Sequence, residues 1–173
     1  MSRVDLRHAL VLFLTIVLLN TACFRYSFSG VTIPENVQTI FIPFFPNQAQ
    51  TAVPGLPDLI NAALIDRFVN QSRLQLSDNR DQADAVIEGR LISYTNKAFS
   101  ISSEEAANLN RVEIGVQASF RIKSEEKERW NKRFSGFGEF DPAVDPINGE
   151  NQAANDAIEQ LVENMFNEAL GSW

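Results

Sequence analysis

The chain has 173 residues, with 15 lysines and arginines against 22 aspartates and glutamates, a net charge of -7, one histidine and one cysteine. An acidic body of this kind argues against a general electrostatic partnership with nucleic acid or anionic lipid surfaces, though not against a local basic patch. With so little histidine and cysteine, zinc sites built on them, Ser-His-Asp or Cys-His catalysis and haem ligation all lack their side chains, and no disulfide can form within the chain.

The first 22 residues read as a signal peptide. Arg3, Arg7 and His8 make a basic head, despite Asp5, and an apolar stretch runs from Ala9 to Leu19. At about 11 residues it is too short for the ~20 that a spanning helix needs, and it ends on small residues. Asn20-Thr21-Ala22 then precede Cys23. A lone cysteine directly after a leader and a small residue is the acceptor of the bacterial lipoprotein pathway, which predicts lipidation at Cys23 with acyl chains such as palmitate. Leu19 lies four residues before the cysteine rather than three, where Asn20 stands. The alternative is an ordinary leader cut nearby, leaving an unpaired thiol in an oxidising compartment. Phe24 follows the cysteine instead of aspartate, so the cell outer membrane, periplasmic side, is the expected address. Loss of residues 1–22 removes His8 and leaves 13 basic against 21 acidic residues, a net charge of -8. Carboxylate, Ser-Lys or all-oxygen metal chemistry would remain, yet no phosphate loop or calcium loop appears. The expectation is a non-enzyme with no cofactor, no metal and no nucleic-acid partner.

Residues 23–36 read as the lipidated cysteine and a tether, and 37–173 as a single α+β domain. The apolar run Val37–Phe45 predicts a strand that lies at an edge or ends at Pro43, which cannot donate a ladder hydrogen bond. Pro57 and Asp58 open a helix whose stripe is Leu56, Leu59, Ile60, Ala63, Leu64 and Phe68, ending near Asn70. Arg73–Ser77 reads as a short strand. Ala83, Ala85, Ile87, Gly89 and Leu91 line one side of a long strand, with Asp84, Val86, Glu88, Arg90, Ile92 and Tyr94 on the other. From Arg111 to Lys123 the alternation is strict: Val112, Ile114, Val116, Ala118, Phe120 and Ile122 make a core face, and the intervening residues a wet one.

A charged turn at Ser124–Lys127 leads to a strand through Trp130 and Phe134. Gly136, Gly138, Pro142, Pro146 and Gly149 then read as a loop. Asn148 is the expected cap of a last helix with the stripe Ala154, Ala157, Ile158, Leu161, Val162, Met165, Phe166 and Ala169. The order β-α-β-β-β-β-α predicts a two-layer sandwich, two helices packed on one face of a mostly antiparallel four- or five-stranded sheet.

Several segments together resemble the Bacteroidetes-type branch of the LptE family of lipopolysaccharide-assembly lipoproteins. They are Cys23-x-x-Tyr26-x-Phe28-x-Gly30, Phe44-Phe45-Pro46-Asn47, Asp66-x-Phe68 and Ala83-Asp84-Ala85-x-x-Glu88-Gly89 with Tyr94. Ala106-Ala107-x-x-Asn110-Arg111-x-x-Ile114-x-Val116, Phe134-Ser135-x-Phe137 and Glu159-Gln160-Leu161 to Phe166-Asn167 continue the series. The resemblance implies an outer-membrane lipoprotein that plugs or supports a β-barrel translocon (LptD-like) in lipopolysaccharide transport and assembly. Its partners would be that barrel, lipopolysaccharide, and the inner leaflet of the outer membrane through the lipid anchor. The family's fold, two helices against a four-stranded sheet, is similar to the one argued from the pattern.

Lipopolysaccharide carries phosphates, so cations on a polar face are candidate contacts. Arg111, Arg121 and Lys123 lie on the wet side of the second long strand, and Lys97 follows the first; Arg90, Arg129, Lys132 and Arg133 are nearby. The competing reading is that these cations neutralise Glu88, Glu113 and Glu125 across the sheet. Phe99 and Ile101, in the segment Lys97–Leu109 joining the long strands, are apolar for a loop tip. Either they reach lipid or barrel wall, or they fold back or extend the strand. A second functional class, an outer-membrane lipoprotein regulator of a cell-wall synthase, shares the leader cysteine and an Ala-Asp-x-x-x-x-Gly strand. A tether of about a dozen residues, reaching at most ~45 Å, favours a site near the membrane. A carboxylate-based hydrolase has no motif in its favour.

Overall fold

A computed structural model describes residues 33–51, 53–100 and 108–171. The leader, Cys23 and most of the tether lie outside the described residues. Those described run β1 (Thr39–Phe41), α1 (Leu56–Ile65), β2 (Gln75–Leu76), β3 (Ala85–Ser100), β4 (Asn108–Ile122), β5 (Trp130–Phe140) and α2 (Pro146–Leu170). The element order is the one the pattern predicts. All belong to one compact unit.

The sheet has five strands in the order β2-β1-β3-β4-β5. β3, β4 and β5 pair antiparallel, whereas β1 pairs parallel with both β2 and β3. The sheet is therefore mixed. β1 is shorter than the apolar run 37–45 suggests, because Pro43 has no N–H to continue a ladder. The chain touches the sheet again at Asn47, which bridges Leu91. β1 is not an edge strand, since β2 flanks it. Its hold on β3 rests on Asp84, whose Oδ2 accepts from the Gln38 and Thr39 amides at 3.0 and 2.9 Å and from the Thr39 hydroxyl at 2.9 Å.

α1 begins as expected with proline in its first turn and continues as a π-helical turn, Asp66–Asn70. Leu56, Ile60, Leu64 and Phe68 are buried at four-residue spacing. Leu59 is not part of that stripe and stays 48% exposed. α2 is capped one turn earlier than the sequence suggests: the Asp145 carboxylate, not Asn148, is the cap, and it accepts from the Asn148 amide at 3.0 Å. Its predicted stripe is buried throughout. The two helices meet where Phe68 packs edge-on against Phe166, ring centroids 5.1 Å apart. Arg67 lies over the Phe166 ring and pairs with Glu163.

Two departures from the expected pattern position the rest. In β3 the register slips between Leu91 and Ser93, a bulge. Ala85, Ile87 and Leu91 face the helices before it, and Tyr94 faces them after it. Tyr94 is thereby moved off the side it was expected to share with Glu88 and Arg90, as a one-residue insertion must do to a period-2 strand. In β5, Gly136 and Gly138 are strand residues, not loop. A Cβ at Gly136 would stand 2.0 Å from the Ala157 carbonyl oxygen, and one at Gly138 would stand 2.2 Å from that of Ala153. The glycines let the α2 backbone settle directly on the sheet. Phe120, Trp130 and Phe134 close the core at the other end, Trp130 stacking on Phe120 and meeting Phe134 edge-on.

Candidate functional site: the outer sheet face

With both helices on one side, the other side of β3, β4 and β5 is a polar surface whose rows are set by the ladder. From one end to the other they are Val86–Arg121, then Glu88–Ser119–Asn131, then Arg90–Gln117–Arg133. Past the bulge come Ser93–Gly115–Ser135, Thr95–Glu113–Phe137 and Lys97–Arg111–Glu139. The three strands carry six basic residues (Arg90, Lys97, Arg111, Arg121, Lys132, Arg133) and three acidic ones (Glu88, Glu113, Glu139). The helices with their π turn carry seven acidic residues and one basic. An acidic protein thus has a cationic sheet layer.

The sequence-predicted contacts do not form one patch. Lys97, Phe99 and Arg111 belong to the end where β3 runs into β4; Arg121 and Lys123 belong to the β4–β5 end. Ten residues of strand separate Arg111 from Arg121, roughly 34 Å. Lys97 is exposed and stands beside Arg111 in register. Arg111 donates from Nε to Glu139 Oε1 at 2.9 Å and lies over the Phe137 ring, 4.6 Å from its centroid. Both β3 and β4 extend into the segment expected as a loop, reaching Ser100 and Asn108. The Phe99 side chain and residues 101–107, including Ile101, lie outside what is described.

At the opposite end Arg121 and Lys123 line a hollow with Asp81, Glu125 and Glu126. Lys123 donates to the Asp81 carbonyl oxygen at 2.6 Å. The acids there are neutralised by cations from outside the sheet face as well as on it. Glu88 is held by Arg80, Nε to Oε1 at 2.7 Å, and Glu125 by Arg129 within its own turn. Those hydrogen bonds keep both carboxyls below their ordinary range. Glu88 and Glu125 are therefore neutralised, but by a turn arginine and within a turn rather than across the sheet, and Glu113, Arg90 and Arg133 have no ion-pair partner among the described residues. The row shared by Arg90 and Arg133 is invisible without the register.

Among the described residues no group of three histidine, cysteine, aspartate or glutamate side chains converges as a metal site, and no helix is long and apolar enough to cross a membrane. What the face can do is bind: cations at fixed spacing on a stiff ladder suit phosphate-bearing or otherwise anionic partners.

Solved structures share the fold at low identity. A protein from Xanthomonas campestris matches with a TM-score of 0.53 and 9% identity, over 81% of this chain and 89% of that one. The dodecameric PelC of Paraburkholderia phytofirmans matches at 0.51 and 11%, over 81% and 94%. A Chlamydia trachomatis protein matches at 0.50 and 6%, over 77% and 93%. These likenesses are of fold alone. No curated protein matches by sequence. The family model described as lipopolysaccharide-assembly LptE, however, matches residues 37–169, which include every strand, α1 and nearly all of α2. The chain belongs to the LptE family of lipopolysaccharide-assembly lipoproteins.

Proposed function

We propose that the protein is an outer-membrane lipoprotein, anchored through Cys23 on the periplasmic side, that sits in or against an LptD-like β-barrel translocon and helps deliver lipopolysaccharide to the cell surface. Family membership over residues 37–169 carries this reading. The cationic outer sheet face supports it, because a body held in a barrel needs a rigid polar surface facing a polar lumen. The Lys97–Arg111 end is the better candidate for phosphate, because Lys97 is exposed there with no ion-pair partner among the described residues, even though Glu139 holds Arg111, whereas at the other end Lys123 is tied to the Asp81 carbonyl. Lipid chains at Cys23 supply stable anchoring, since several acyl chains hold where one does not.

Depletion followed by two measurements tests the reading. Surface lipopolysaccharide should fall while peptidoglycan cross-linking stays constant. Normal surface lipopolysaccharide on full depletion overturns it, and altered cross-linking alone would assign the protein to cell-wall synthesis.

A further inference from the structure

On the side of the molecule away from the sheet, α1 and α2 leave a groove of about 300 Å³ between them, at the small end of ligand pockets. Leu59, Ala63, Ile158 and Val162 form its apolar part, and Asp66, Glu159 and Glu163 are on its rim. Leu59 is the residue the helical stripe predicts for the core, yet it is 48% exposed here. α2 has five acidic residues and no lysine or arginine in its 25 residues. Arg67, the one cation of the helical layer, is already engaged by Glu163 and Phe166. Glu159 has no ion-pair or hydrogen-bond partner among the described residues.

We propose that this groove docks a basic amphipathic segment of a protein partner, an aliphatic side chain lying on Leu59 and Ala63, over the buried Ile158 and Val162, with a lysine or arginine reaching Glu159. The chemistry selects this occupant. An anionic lipid headgroup is repelled by a layer of seven acids and one base. A second copy cannot pair helix face to helix face for the same reason. An apolar cleft with an acidic rim is the complement of an apolar stripe flanked by cations. The inference rests on the reading above and adds to it a protein contact on the helical layer, opposite the cationic sheet face.

The test uses the full-length protein in its own membrane with a photo-cross-linking residue, benzoylphenylalanine, at position 59 and a control probe at Val144, which is 81% exposed and outside the groove. Sequencing of the position-59 adduct should give a peptide from another protein with lysine or arginine beside aliphatic residues. Glu159→Lys should reduce that adduct roughly tenfold, with an unchanged melting temperature, and Glu159→Gln should reduce it less. An adduct to a second copy, an adduct to lipid alone, or an adduct indifferent to Glu159→Lys overturns the proposal. Surface lipopolysaccharide is read separately, so failure of the transport reading and failure of the groove give different results.

Discussion

The Tyr94 hydroxyl donates to Glu150 Oε1 at 2.6 Å, joining the strand beyond the β3 bulge to the first turns of α2. Without the bulge Tyr94 would point away from the helices. Burial, and then the hydrogen bond to the negative carboxylate, raise its phenol well above the usual tyrosine range. Tyr94→Phe should cost about 1.5–3 kcal/mol in urea unfolding, the range for a hydrogen bond to a charged acceptor. The raised value also fixes a sign. Folded Tyr94 keeps its proton where unfolded tyrosine loses it, so its contribution is complete below about pH 10 and is lost as the pH rises further. Wild type should lose more stability between pH 9 and 11 than Tyr94→Phe does; parallel curves would dismiss the link.

Asp84 makes the opposite case. The Gln38 amide, then the Thr39 hydroxyl and amide, hold its carboxylate below the ordinary aspartate range. Its contribution is present above the unfolded value of about 4 and is lost as the pH falls below it. Asp84→Ala leaves the β1 donors without an acceptor and should cost about 1–3 kcal/mol at pH 7. The difference from wild type should shrink by pH 3. An unaltered difference at pH 3 would mean that the ionised form contributes nothing.

Gly136 and Gly138 hold α2 against β5. Gly136→Ala should cost about 1–3 kcal/mol, as overpacking does, because its methyl group would meet the Ala157 carbonyl rather than a movable side chain. Gly115, on the outer face, would instead meet the Ser93 hydroxyl, which can rotate. Gly115→Ala should therefore be milder. Thermal melts of the two variants rank them, and the reverse order would contradict the packing described.

These residues show where sequence reading succeeds and where it stops. The stripes of β4 and α2 are legible because one residue type recurs at one period over a long element. The bulge is not, since Ile92 and Ser93 carry no glycine or proline to mark it. The same glycines that signal a turn locally were needed in β5 for close approach by a helix far along the chain. Parallel pairing of β1 depends on Asp84, 45 residues beyond Thr39. For the site, each cation on the wet face could be named from alternation. Which cations stand together depends on register, and which acids neutralise them depends on Arg80 and Glu139, distant in sequence.

That separation of cations gives the last prediction. Paired reversals Lys97→Glu with Arg111→Glu, and Arg121→Glu with Lys123→Glu, act at opposite ends of the same face. Both pairs lie off the core, so neither should unfold the domain; the cost should stay near that of an exposed ion pair, about 1 kcal/mol or less. Arg111→Glu leaves Glu139 beside a second carboxylate, so Arg111→Gln accompanies it as the milder control. If the strand end at Lys97 meets the phosphates of lipopolysaccharide, the first pair should weaken binding to the detergent-solubilised protein, and the loss should be greatest at low salt, where exposed charges are least screened. The second pair should bind nearly as wild type, because Asp81 and Glu126 line the same hollow as those cations and make it a poor place for a phosphate. Equal losses from both pairs would mean that the whole face responds only to net charge. A loss confined to the second pair would place the lipid at the β4–β5 end instead.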